Sequence, residues 1–131
     1  MIIDTSAIVA IALKEPAHRP FLQAMADAPA RRISGGTWIE LSVVVVRRGI
    51  IQPAWIDRLI DEYALVIEPV TAEQSHIGHA AYRTYGRGVG HPARLNFGDC
   101  FAYALAKATG EPLLFKGDDF GHTDVVAAIG S

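Results

Sequence analysis

Acidic side chains at four places in this chain could take part in metal-assisted chemistry: Asp4 in MIIDTSA, Glu40 in GGTWIELS, Asp99 in LNFGDCFAYALA, and the adjacent Asp118 and Asp119 in LLFKGDDF. Each stands where a hydrophobic run or a short polar turn hands over to a predicted helix. Carboxylates delivered to one end of a sheet repel one another and raise each other's pKa unless a cation sits among them. Mg²⁺ and Mn²⁺ take hard oxygen ligands, so such a set suits a divalent-metal site. Each acid also has a plain structural use. Asp4 and Asp99 can serve as N-caps, Glu40 stands at capping-box spacing from Thr37, and Asp118 and Asp119 can form a turn. Capping accounts for any one of them alone. It does not require several to meet at one sheet edge, whereas a metal site does.

The elements that must position these acids follow from the apolar pattern. Met1 to Ile3 reads as a short buried strand, and Asp4, Thr5 and Ser6 open a helix to about Lys14, before Pro16. Phe21, Leu22 and Met25 mark a second helix. Arg31 to Ser34 reads as a strand, Gly35-Gly36 as a turn, and Thr37 as the start of a helix towards Arg48. The Val43 to Val46 run is strand-like by propensity, so the helix rests on its entry signal and length. Pro53 suits the first turn of a helix carrying Trp55, Ile56, Leu59 and Ile60, and Leu65 to Ile67 reads as a strand. Thr71 begins a helix to about Tyr85, a glycine-rich loop follows, and a helix runs from Asp99 to about Thr109 with Gly110 as its cap. Leu113 to Phe115 is the last strand. Strands alternating with helices imply an α/β fold with a short, mostly parallel central sheet covered by helices on both faces. Ligands in such sheets bind outside the carboxyl ends of the strands, where Asp4 and Asp118 or Asp119 emerge.

Composition bounds the function. At 131 residues and 50% hydrophobic content, the chain is expected to form one domain over 1–131 with a core of its own. A formal net charge of −2 provides no global attraction to nucleic acid, so polyanion binding would depend on local charge. The single cysteine, Cys100, lies in an apolar helical run and cannot form an internal disulfide, which points to a reduced, cytoplasmic protein. No basic leader is evident, and the apolar stretch from Ile8 to Leu13 is too short to span a bilayer, so no membrane association is expected.

The opening IIDTSA, the Glu40 in its T-W-x-E context, LNFGDCFAYALA and LLFKGDDF together resemble the PIN-domain ribonucleases, and among these the VapC-type toxins of toxin-antitoxin pairs. The resemblance runs over nearly the whole chain in length and motif order. It implies that Asp4, Glu40 and Asp99 occupy the family's acidic positions and that the fourth is either Asp118 or Asp119. It further implies a Mg²⁺- or Mn²⁺-dependent endoribonuclease, cleavage leaving a 5′-phosphate, a homodimer, and neutralisation by a VapB-like antitoxin. The chemistry so implied is phosphodiester hydrolysis, in which a metal held mainly by Asp4 and Asp99 would activate a water, and Glu40 and the late aspartate would orient that water or hold a second ion.

Substrate RNA needs positive charge. Between Gln74 and Gly98 there is no acidic residue, yet Arg83, Arg87 and Arg94 occur there with three histidines, Tyr82 and Tyr85. Arginine can pair with phosphate and aromatics can stack on unpaired bases, so this segment is a candidate RNA surface; the alternative is a solvated helix face. Thr5 and Ser6 could position phosphate or a metal-bound water, or cap a helix. Lys116 could steady transition-state charge, or be a neutral surface residue. His76 and His79 share a helix face but lack the partners of a tetrahedral zinc set. Trp38, Val43 to Val46, Trp55 and Ile60 are either core or an interface. Two rival functions stand beside the nuclease. A haloacid-dehalogenase-type phosphatase would need a second Asp two residues after Asp4, where this chain has Ser6, and a non-catalytic PIN-like module would bind RNA or protein without turnover.

Overall fold

The computed structural model describes residues 1–129. Its elements are β1 (Ile2–Ile3), α1 (Thr5–Ala12), α2 (His18–Asp27), β2 (Arg32–Ser34), α3 (Gly35–Arg48), α4 (Pro53–Glu62), β3 (Val66–Glu68), α5 (Ala72–Tyr85), α6 (Asp99–Thr109) and β4 (Leu113–Leu114), then a short 3₁₀ turn, Phe120–His122. The four strands form one sheet in the order β3-β2-β1-β4, and every pairing is parallel. Ile2 pairs with both Arg32 and Leu113, Ile3 with Leu114, and Ser34 with Glu68. Parallel neighbours need long crossovers, and the helices supply them. The chain builds outward from β1 to β3, then returns through α5 and α6 to lay β4 on the other side of β1. The order therefore reverses between β1 and β4, the position at which open α/β sheets bind ligands.

Strands of two residues hold because both faces are buried. Ile2 and Leu113 point to one side, into a cluster with Ala81, Leu95, Ala102 and Leu105 of the α5–α6 half. Ile3 and Leu114 point to the other, against Ile8, Met25, Leu41 and Leu59. This alternation is the period of a strand, and continuous apolar pairs such as Ile2-Ile3 and Leu113-Leu114 are what a sheet covered on both faces requires.

The helix ends follow local chemistry. Asp4 caps α1 by accepting from the Ser6 backbone N–H at 3.0 Å, Thr71 caps α5 by accepting from the Gln74 N–H at 3.1 Å, and Pro53 opens α4. Gly110 closes α6 at φ +73°, the left-handed conformation that glycine adopts without penalty.

Most boundaries fall within one or two residues of the sequence expectation, and one differs in a way that changes a residue's role. Helix α3 begins at Gly35, with Ser34 as its N-cap accepting from the Gly36 N–H at 3.2 Å, so Thr37 lies inside the helix and forms no capping box with Glu40. The cause is packing. A Cβ on Gly36 would overlap the Phe101 ring of α6, and one on Gly35 would come within 3.3 Å of the Glu68 carbonyl. The glycine pair is there for close approach rather than for a turn.

The apolar residues first read as core or interface divide between the two. Trp38, Val44, Val45, Trp55 and Ile60 pack against the core, whereas Val43 and Val46 are exposed together with Ile39 and Ile50. Among the described residues no helix is long and apolar enough to cross a membrane.

The α3–α6 contact makes a testable claim. Gly36→Ala should lower unfolding stability by about 1–3 kcal/mol, the usual cost of overpacking, as read by the urea midpoint. An unchanged midpoint would show that Phe101 moves aside freely.

Candidate active site

The reversal of strand order leaves a cleft of about 430 Å³ at the carboxyl ends of β1 and β4. Four of its lining residues are Asp4, Glu40, Asp99 and Asp119. Asp4 arrives directly from β1. Its Oδ2 accepts from the Ser6 N–H and from the Ser6 hydroxyl at 2.6 Å, while Oδ1 is buried without a hydrogen-bond partner. Glu40 lies in the second turn of α3, where its Oε1 accepts from the Thr5 hydroxyl at 2.7 Å. Asp99 opens α6 and forms a reciprocal pair with Asn96: the Asp99 carboxylate accepts from the Asn96 N–H at 2.9 Å, and the Asn96 side chain accepts from the Asp99 N–H at 2.8 Å. That is capping-box geometry, and it fixes the carboxylate without using both its oxygens. Capping and site formation are thus compatible for Asp4 and Asp99.

Bringing these groups together has an electrostatic cost. Burial pushes Asp4 up to about 6; the Ser6 hydrogen bonds oppose the rise and the Glu40 charge adds to it. Asp99 is pushed up to about 7, again first by burial, with Asp4, Asp119 and Glu40 adding to it against the Asn96 N–H. A site that raises its own carboxylates in this way, with a buried oxygen left unpaired, suits a hard cation. Among the described residues no three His, Cys, Asp or Glu side chains form a ready-made ligand group. Mg²⁺ usually takes one or two carboxylates and completes its shell with water and phosphate oxygens, and that sparse demand is what Asp4 and Asp99 fit.

The two adjacent aspartates separate. Asp119 is half-buried and lines the acidic cleft; Asp118 is exposed and lines a neighbouring one with Phe21, Phe115 and His122. Ser6 also has an internal occupation. Its hydroxyl donates to Asp4 and accepts from the Lys116 N–H at 2.9 Å, tying the end of β4 to the head of α1. Lys116 lines the cleft in an ion pair with Glu15, but Arg83, Arg87 and Arg94 do not line it. Arg87 Nε donates to the Arg94 carbonyl at 3.2 Å, which holds the two arginines together across the glycine-rich loop.

The chain and its fold have known relatives. The PIN domain family model matches residues 1–126. The chain belongs to this family. It is 49% identical to Ribonuclease VapC42 of Mycobacterium tuberculosis over 95% of this chain and 96% of that protein, and 49% identical to Ribonuclease VapC28 of the same species over 98% of each. Relatives at this level place it among the VapC ribonucleases. In fold it is similar to the crystal structure of M. tuberculosis VapC20, described as a Sarcin-Ricin loop cleaving toxin (TM-score 0.71, 20% identity, 95% of each chain), and to a toxin-antitoxin complex from Klebsiella pneumoniae (TM-score 0.67, 19% identity, 98% of this chain and 97% of that one).

Several lining residues of the PIN cleft escaped the sequence reading. Glu40, Val44 and Arg48 all line it, and their i, i+4, i+8 spacing on α3 would have indicated Arg48 once Glu40 was taken as a site residue. Asn96 stands three residues before Asp99, a readable capping-box signal. Gly98 is less visible: a Cβ there would overlap the Glu40 carboxylate, which can lie against the head of α6 only because this position is bare. Glu15 carries no local signal, since only the fold brings it beside Lys116.

The raised carboxylates fix a pH dependence. Because Asp4 and Asp99 hold protons in the folded state up to about pH 6 and 7 but release them near 4 when unfolded, their contribution to stability is full below pH 4 and is lost as pH rises through 6 and 7. In EDTA, melting should therefore be several degrees higher at pH 5.5 than at pH 8, at roughly 3–5 °C per kcal/mol for this size. Asp99→Asn should flatten that difference, and Mg²⁺ should stabilise the wild type more at pH 8. A melting temperature that rises with pH in EDTA would contradict the charge arrangement.

Proposed function

We propose that this VapC-family protein is a divalent-metal-dependent endoribonuclease whose site is Asp4, Glu40, Asp99 and Asp119, held in a single PIN-like nuclease domain over 1–131. The observation that carries the assignment is the buried, unpaired Oδ1 of Asp4 in a cleft shared with the carboxylates of Glu40, Asp99 and Asp119. Asp4 and Asp99 would hold the cation, Mg²⁺ or Mn²⁺. When bound, it supplies Lewis-acid chemistry: it acidifies water and offsets the charge of the attacked phosphate.

The protein's own groups do the rest. Ser6 keeps Asp4 Oδ2 engaged and so leaves Oδ1 as the oxygen that would hold a cation. Glu40, fixed by Thr5, orients the attacking water from the α3 side, and Asp119 closes the opposite side of the cleft. Arg48 and Lys116 are the cationic groups of the lining and suit the non-bridging phosphate oxygens. Water adds its oxygen to phosphorus, the bond from phosphorus to the 3′-oxygen breaks, and the products are a 5′-phosphate and a 3′-hydroxyl.

Ser6 stands where a phosphatase of the haloacid dehalogenase type needs its second aspartate, and its hydroxyl is committed to Asp4, which argues against that chemistry. The completeness of the acidic set argues against a binding module without turnover. As a toxin the protein would act on RNA in the cytoplasm, as a homodimer, restrained by a VapB-like antitoxin; the exposed Ile39, Val43 and Val46 of α3, with Ile50 just past its end, support such contacts.

The test is cleavage of a mixed pool of structured RNAs by antitoxin-free protein with Mg²⁺ or Mn²⁺ against EDTA. Asp4→Asn, Asp99→Asn and Asp119→Asn should each lower cleavage at least ~100-fold, beyond the loss typical of groups that only support a ligand, while Asp118→Asn stays near wild type. Equal activity of the Asp118 and Asp119 variants would undo the assignment of the fourth acid. Gly98→Ala should depress cleavage with little change in melting temperature, because the displaced group is the mobile end of Glu40.

A further inference from the structure

The turn that presents Asp99 has two working faces. Asn96 and Asp99 look into the acidic cleft, whereas Phe97, Cys100 and Phe101 line a separate groove of about 420 Å³ between α5 and α6. Phe97 is 77% exposed, an uncommon place for a large apolar ring, and it is braced edge-to-face by Phe101 with centroids 5.1 Å apart. Across the groove stand Tyr82, itself 40% exposed, with His79 and Arg83. Gln74 completes the wall at 7% exposure; its amide N–H donates to the Pro69 carbonyl, and its Oε1 has no partner among the described residues.

Charge and position narrow the occupant. No acidic residue lines this groove, and none occurs from Gln74 to Gly98. Arg83 makes no ion pair among the described residues. An apolar slot with exposed aromatic rings and a free guanidinium is complementary to a base and its phosphate, since stacking needs only a π-face and arginine pairs with phosphate. The slot also neighbours the catalytic cleft in the chain, since residues 96–100 contribute side chains to both. Only Gly98 separates Phe97 from Asp99, so their Cα atoms lie within about 7 Å.

Resting on the ribonuclease reading, we propose that the α5–α6 groove is a stacking subsite for an unpaired nucleobase beside the scissile phosphate. The base lies against Phe97 and Tyr82, and Arg83 takes the adjoining phosphate. The substrate at the cut is thus a loop or single strand, because a base held in a duplex cannot enter the slot.

The experiment is equilibrium binding in EDTA of a short single-stranded RNA carrying 2-aminopurine, and of the same strand annealed to its complement, followed by fluorescence quenching. Cleavage with Mn²⁺ is measured in parallel on a loop-containing RNA. Wild type should quench the single strand and not the duplex. Phe97→Ala should weaken single-strand binding ~10- to 100-fold and abolish quenching. Phe97→Trp should retain both, and Phe97→Leu should behave as Phe97→Ala, which a purely apolar packing role would not produce. Wild-type cleavage with unaltered binding in Phe97→Ala would overturn the subsite and leave the ribonuclease standing; absence of metal-dependent cleavage in wild type would count against the ribonuclease itself. A change in oligomeric state of Phe97→Ala by light scattering, with quenching unaffected, would assign the groove to a second copy of the chain and overturn the proposal.

Discussion

Repulsion among carboxylates gathered at one edge of a small sheet is the constraint around which this structure is arranged. Asp4 is almost fully buried, is fixed through one oxygen by Ser6, and has nothing to satisfy the other. Asp99 is raised by burial and by three neighbouring acids. A protein selected only for stability would remove such a group or pair it with a cationic side chain, as a buried unpaired charge is among the most destabilising features a fold can carry. Neither cationic group of the lining pairs with these acids among the described residues: Lys116 binds Glu15, and Arg48 makes no ion pair. An exchangeable cation would relieve this destabilisation, and that is the condition for metal-assisted phosphodiester chemistry.

The rest of the fold serves this gathering. Reversal of strand order between β1 and β4 opens the cleft, and the short, doubly buried strands deliver Asp4 and the Lys116 to Asp119 turn to the same edge. Glu40 and Asp99 come from helices instead, and two bare positions let those helices approach. Gly36 admits the Phe101 ring, and Gly98 leaves space for the Glu40 carboxylate itself. Hydroxyls then set the orientation: Thr5 holds Glu40, and Ser6 holds Asp4 while binding the backbone that follows β4. Adjacent residues of α1 thereby fix acids from two different elements.

Much of this was legible before any coordinates. The parallel α/β class, the Asp99–Thr109 helix with its Gly110 cap and the acids themselves followed from apolar pattern, cap chemistry and motif order. Reading failed where tertiary contact outranked local preference. Gly35-Gly36 has the composition of a turn, but its function is to let a helix pass close to Phe101, and no local signal separates the two. Asp118 and Asp119 are chemically identical neighbours; only the path of the chain after β4 sends one to the acidic cleft and the other to solvent. Arg83, Arg87 and Arg94 were grouped by sequence, yet none reaches that cleft, while Arg48 does so through the periodicity of α3.

Anomalous diffraction from crystals soaked in Mn²⁺ at neutral pH tests the central claim most directly. The account predicts one strong manganese peak within bonding distance of Asp4 Oδ1 and the Asp99 carboxylate, lost in Asp99→Asn crystals. A saturating soak with no peak in this cleft, or a peak bound elsewhere that leaves Asp4 Oδ1 unpaired, would contradict it.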